Sequence, residues 1–148
     1  VEQREEANRA DQLQCGFFMP MNKLFWMKIV AINGLLAVLL GAFTAHILEA
    51  SLSPERLAVF HTAVKYHMFH TLALLGLICL DNQAGSPRYR TYAAIFFLLG
   101  IGLFSGSLYL LVATGISKLA MVTPMGGLAF LIGWILLLIS AREKNNGN

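Results

Sequence analysis

Charge is scarce in this chain. Only 13% of its 148 residues are Asp, Glu, Lys or Arg, and the mean hydropathy is +0.64. A soluble domain carries about 25% charge, so a water-facing globular fold is excluded. No Asp or Glu falls deep within a long apolar run, and acid–base chemistry by paired carboxylates therefore has nothing to draw on. The two cysteines, Cys15 and Cys79, are too few for a disulfide framework. Cys15 sits in "LQCG", but the segment before it is charged, so it reads as neither a signal peptide nor a lipid-anchor site. The serine-nucleophile elbow, the phosphate loop, the HExxH zinc motif and the dinucleotide fingerprint are missing, and the ordinary enzyme classes go with them. The net charge is +3, yet the basic residues flank apolar runs rather than forming a patch. No nucleic-acid partner is expected.

Long apolar runs fill the space instead. Four follow one another, at about 29–48, 57–80, 92–113 and 119–139, each near the ~20 residues a helix needs to cross a bilayer. The expected fold is all-α, an integral membrane four-helix bundle. Its topology is up-down, because short connections make neighbouring helices antiparallel. Residues 23–142 are the membrane domain. Residues 1–22 are a polar tail. That tail reads either as a short disordered or surface-lying segment or, with Val at position 1 and "MNKLFW" starting at Met21, as a start-site artefact. Residues 143–148 are a second polar tail. Ser53 before Pro54 has the form of a helix start, a hydroxyl cap followed by proline at the first helical position. Gly85 and Pro87 break the segment "DNQAGSPRYR". Lys23, Lys28, Arg88, Arg90, Arg142 and Lys144 fall on one side of the runs, against Arg56 and Lys118 on the other. Positive charge stays inside, so both termini are expected in the cytoplasm.

The remaining polar residues are unevenly spread in depth. In "HTAVKYHMFH" (61–70), His61 and Lys65 share one helical face and His67 and His70 another. His70 lies roughly 20 Å from Leu57 and roughly 15 Å from Leu80 along a helix, near the midplane. Lys65 can snorkel outward; His67 and His70 cannot easily do so. His46 lies near the outer end of the first run. Ser105, Ser107 and Tyr109 lie in the outer half of the third, and Thr123 opens the fourth beside Pro124. With Tyr66, His67 and His70 these residues form a candidate polar pocket in the outer half of the membrane. Asn33 is the main polar residue of the inner half. Three readings of the histidines stand: hydrogen bonds between helices, which is the most ordinary; proton or solute handling; and metal or haem ligation by His46, His67 and His70, since neutral imidazole serves as ligand and as base. No thiolate or deep carboxylate completes a zinc set, so no cofactor is expected. Ala37, Gly41 and Ala45, then Gly102 and Gly106, then Gly126 and Gly127, are candidate helix-packing positions, where small residues let backbones approach.

Four stretches carry a resemblance: "GAFTAH" (41–46), "FHTAVKYHMFHTLALL" (60–75), "LFSGSLYL" (103–110) and "TPMGG" (123–127). Together they resemble the small YgdD-like family of bacterial inner-membrane proteins, catalogued as a domain of unknown function, with a small eukaryotic transmembrane relative. The resemblance covers roughly residues 22–142. Thr44 stands where the family pattern has a second glycine. His46, Tyr66, His70, Ser105, Tyr109, Thr123 and Pro124 fall on the pattern. It implies four helices and an inner-membrane location, and no established activity. The leading functional expectation is a non-enzymatic packing or assembly partner, in contact with the lipid bilayer and with a second copy or other membrane proteins. The alternative is an oligomeric transporter or channel for a small solute or protons. The third is a His-ligated metal or haem protein.

Overall fold

The computed structural model describes residues 22–80 and 85–143. The tails at 1–21 and 144–148, with Cys15, lie outside the described residues.

Every regular element among the described residues is helical. Helix α1 is Lys23–Phe43, begun by the Asn22 side chain, which accepts from the Phe25 amide (3.2 Å). It runs on through a π-turn, Thr44–Leu48. Helix α2 is Pro54–Cys79. Its start follows the sequence expectation: the Ser53 side chain accepts from the Arg56 amide, and Pro54 sits where no amide proton is needed. Helix α3 starts as Pro87–Gly100, passes through a π-turn at Ile101–Ser105 and continues as Gly106–Thr114. It stops at Gly115, whose φ of 72° suits a residue without a Cβ, and whose amide donates to Leu111 O (2.9 Å). A 3₁₀ turn, Ser117–Met121, leads into α4, Thr123–Glu143.

Each helix packs chiefly on the next: α1 on α2, α2 on α3, and α3 most extensively on α4. Helices α2 and α4 stand apart at backbone level and meet through side chains, a separation that matters below. The core joins Trp26 and Val30 of α1, Leu74, Leu77 and Ile78 of α2, Ala93, Ala94, Phe97 and Ile101 of α3, and Phe130 of α4.

The polarity is inverted relative to a soluble protein. Leucines, isoleucines and phenylalanines such as Leu24, Ile32, Leu35, Phe69, Leu128 and Leu131 stand exposed, while His67, His70, Thr71, Arg90, Ser105, Ser107 and Ser140 are buried. An apolar exterior of this extent suits hydrocarbon, not water. Three helical stretches, Lys23–Leu48, Pro87–Thr114 and Ser117–Arg142, are long and apolar enough to cross a membrane. Helix α2 has the length, 26 residues, but Glu55, Arg56, His61, Lys65, His67 and His70 lower its hydropathy.

Polar contacts tie down the end of the molecule near Gly85. Arg90, buried in the first turn of α3, donates to Leu80 O at the end of α2 (3.2 Å), where a cation complements the helix dipole. The Ser86 amide donates to Ser140 O (3.1 Å), and the Ser140 hydroxyl donates back to Ser86 O (3.0 Å). Gly85 makes this possible. Its φ is 91°, and an added Cβ would lie 2.5 Å from Ser140 O.

Candidate functional site

His67 and His70 lie on the same buried face of α2, with Phe60, Ala63, Thr71 and Leu74, as the helical period requires. His61 and Lys65 are exposed. Each buried histidine is held by two partners, and those partners decide its tautomer.

The Asn33 amide nitrogen donates to Ile29 O (2.8 Å), so the Asn33 oxygen is turned toward α2. It can only accept, and it receives the proton of His67 Nε2 (3.2 Å). His67 Nδ1 then carries the lone pair and accepts from the Tyr109 hydroxyl (3.3 Å). The line Asn33–His67–Tyr109 thus joins α1, α2 and α3. Tyr109 is backed by the Phe60 ring, centroid to centroid 5.0 Å.

His70 has the opposite tautomer. Its Nδ1 donates to Tyr66 O one turn earlier (2.9 Å), and its Nε2 accepts from the Trp134 indole N–H (3.4 Å). The imidazole lies flat on Phe130, at 3.5 Å and 8°. His70 therefore ties α2 to α4 across their gap. A third link is the Ser107 hydroxyl, which donates to Phe104 O (2.9 Å) and accepts from Thr123 (2.8 Å), joining α3 to the start of α4.

The eight residues of the expected polar pocket are thus divided among separate links. His46 is exposed on α1 and Ser105 is fully buried in the π-turn of α3. No three His, Cys, Asp or Glu side chains converge on a common point among the described residues.

The larger of two described cavities is an open groove of about 670 Å³ between α2 and α4, with Phe104 of α3 at its base. Lys65, Tyr66, Phe69 and His70 line one wall, and Pro124, Gly127, Leu128, Leu131 and Trp134 the other. Of the eight, the groove takes only Tyr66 and His70.

The small residues differ in what they allow. A Cβ on Gly126 would sit 2.3 Å from the Phe104 amide nitrogen, so Gly126 lets α4 press against the π-turn of α3. Gly100 and Gly133 likewise admit the rings of Phe130 and Phe97. Ala37 is fully buried, and Gly41 faces Val64 with ordinary room. Gly127 and Gly106 have contacts no closer than 3.9 Å, Gly102 faces open space, and Ala45 is exposed. Sequence reasoning left Asn33 outside the histidine set and did not place Trp134 in the candidate pocket. Asn33 lies in the opposite half by depth count. Its reach to His67 depends on how α1 crosses α2, which no spacing encodes.

Residues 40–127, which contain all four motif stretches and both π-turns, match the family model described as "Protein of unknown function (DUF423)". The chain belongs to the DUF423 family. It is similar to the UPF0382 membrane protein YwdK of Bacillus subtilis, 48% identical over 75% of this chain and 90% of that protein. It is 40% identical to the UPF0382 inner membrane protein YgdD of Escherichia coli K12, over 86% of this chain and 97% of YgdD. It is 43% identical to the UPF0382 membrane protein SAB0533 of Staphylococcus aureus, over 80% and 94%. No solved structure matches. With relatives so named and three helices apolar enough to span, the chain is a membrane protein, and its family description assigns no activity.

Proposed function

We propose that this chain is a four-span inner-membrane protein with no reaction of its own, acting as a packing or assembly partner within the bilayer. One observation carries the reading. The ring nitrogens of His67 and His70 are all engaged between or within helices. A general base or a metal ligand needs a free imidazole lone pair, and these lone pairs accept from Tyr109 and Trp134. His67 and His70 are thus engaged in holding helices together. The same observation speaks against a transporter or proton relay that uses His67 or His70 as its receiving group.

Helix α2 is the fourth span. Its 26 residues reach about 39 Å at 1.5 Å each, more than the ~30 Å of hydrocarbon. Its two deep histidines face the interior, so its polar composition is no obstacle. Short connections make the topology up-down, and the flanking lysines and arginines favour both termini in the cytoplasm.

The face of α1 with Ile32, Leu35, Val38 and Leu39 exposed offers a continuous apolar surface for a partner. A photo-crosslinking residue at Leu35, activated in living cells, is expected to yield a discrete protein adduct with a second copy or another membrane protein. Adducts with lipid alone would overturn the partner role.

A further inference from the structure

The geometry points to the groove between α2 and α4 as a site for one acyl chain of an anionic phospholipid, whose phosphate is held by Lys65 and Tyr66. The inference rests on the reading that α2 and α4 both cross the bilayer, and it is independent of any protein partner on α1.

The groove has the size of a small-molecule site, about 670 Å³ within the usual few hundred to a thousand. Its length suits a lipid chain. From Pro124 to Trp134, both of which line it, is ten residues of helix, or about 15 Å. That is half of the ~30 Å hydrocarbon core, the depth one leaflet's chains occupy. The walls along that length are apolar or aromatic: Phe69, Leu128 and Leu131, over Phe104. At the deep end His70 and Trp134 are already bonded to each other, so that end offers a chain terminus nothing polar.

The polar groups of the groove that remain are adjacent in sequence. Lys65 lies five residues before His70, about 7.5 Å nearer the start of α2, and its flexible stem can carry the ammonium toward the headgroup level. Among the described residues, no carboxylate pairs with Lys65 and no hydrogen bond engages the Tyr66 hydroxyl. Both groups are donors. A cation and a phenol that lack acceptors beside a chain-length apolar groove suit an anion on a hydrocarbon tail. A phosphate accepts from both, and the membrane supplies it already attached to a chain. A second protein helix would fill the apolar walls but would have to bury a carboxylate within the membrane to meet Lys65, which is costly.

Trp134 is a built-in reporter. It is 39% exposed in the groove wall, and the other tryptophan of the chain, Trp26, is buried. The full chain carrying Trp26→Phe would be reconstituted in phosphatidylcholine vesicles. Brominated acyl chains would be introduced either on phosphatidylglycerol or on phosphatidylcholine at the same mole fraction. Because one lysine near a membrane surface shifts anionic-lipid binding by about five-fold, brominated phosphatidylglycerol is expected to quench Trp134 at about one-fifth the mole fraction. Lys65→Gln with Tyr66→Phe should bring the two lipids level. Gly127→Leu, which fills the wall where an added Cβ meets nothing nearer than Phe104 at 3.9 Å, should reduce quenching by both. Equal quenching by the two lipids in the parent would overturn the proposal while leaving the spans intact, as would a preference that survives loss of Lys65 and Tyr66. Protection of Trp134 from both lipids would overturn it in favour of a second copy of the chain covering the groove. Failure of the protein to float with the vesicles would instead remove the four-span reading beneath it.

Discussion

His67 is the residue on which most depends, because three helices meet at its ring. His67→Ala leaves the Asn33 carbonyl and the Tyr109 hydroxyl without their partner, and is expected to lower unfolding stability by about 2 kcal/mol. Denaturation in mixed micelles measures this, and a variant as stable as the parent would remove the junction as a stabilising element. The same bonding predicts that protein purified through a tag without histidine carries neither a Soret band nor stoichiometric metal. Optical spectra and elemental analysis beside His70→Ala check this. The glycines differ just as sharply. Gly126→Ala drives a Cβ into the α3 backbone and should cost about 2 kcal/mol or more, while Gly102→Ala, facing open space, should change stability by less than about 0.5 kcal/mol. The pairing of His67 with His70 on one face could be read from their three-residue spacing. The difference between Gly126 and Gly102 could not, since both look like small residues in an apolar helix and only the neighbouring backbone tells them apart.

At the scale of elements, starts and stops were the most legible features. Ser53–Pro54 reads as a helix start and begins α2; Pro87, which reads as a breaker, begins α3, and Gly115, a left-handed residue the sequence reading does not single out, ends it. The start of α2 carries a pH dependence. Glu55, exposed and outside the apolar span, has its carboxyl held below the ordinary carboxylate range by its own backbone amide and by the Ser53 hydroxyl. A carboxyl lowered on folding contributes stability that is present above its unfolded pKa and is lost as the pH falls through the folded one. The first turn of α2 is therefore expected to fray on acidification below the ordinary glutamate range, and Glu55→Gln to flatten that dependence. Amide exchange at Leu57 and Ala58 measures both. The two π-turns were not legible. They fall at Thr44–Leu48 and Ile101–Ser105, each overlapping a stretch singled out for resemblance by three residues, but no single residue type marks a π-turn.

For the whole molecule, the consistent feature is the reversal of inside and outside. Exposed leucines and buried serines, threonines and histidines suit a solvent of hydrocarbon, and the described helices and the family relatives agree with it. A reporter fused after Asn148 is expected to be active only in the cytoplasm, and one placed in the 49–53 connection only outside. Activity of the first outside the cell would reverse the proposed orientation and put the groove mouth in the other leaflet.

Membrane residence and helical class follow from composition alone, because a long uncharged run has few stable alternatives to a helix in lipid. Helix ends and the inward face of α2 follow from local chemistry and the helical period in the same way. The choice of partners does not. That His67 meets Asn33 and Tyr109, that His70 meets Trp134, and that α2 and α4 leave a groove beside Lys65 all depend on how the helices lie against one another. That arrangement is set by close contacts such as Gly126 on Phe104, a matter of shape between residues distant in the chain.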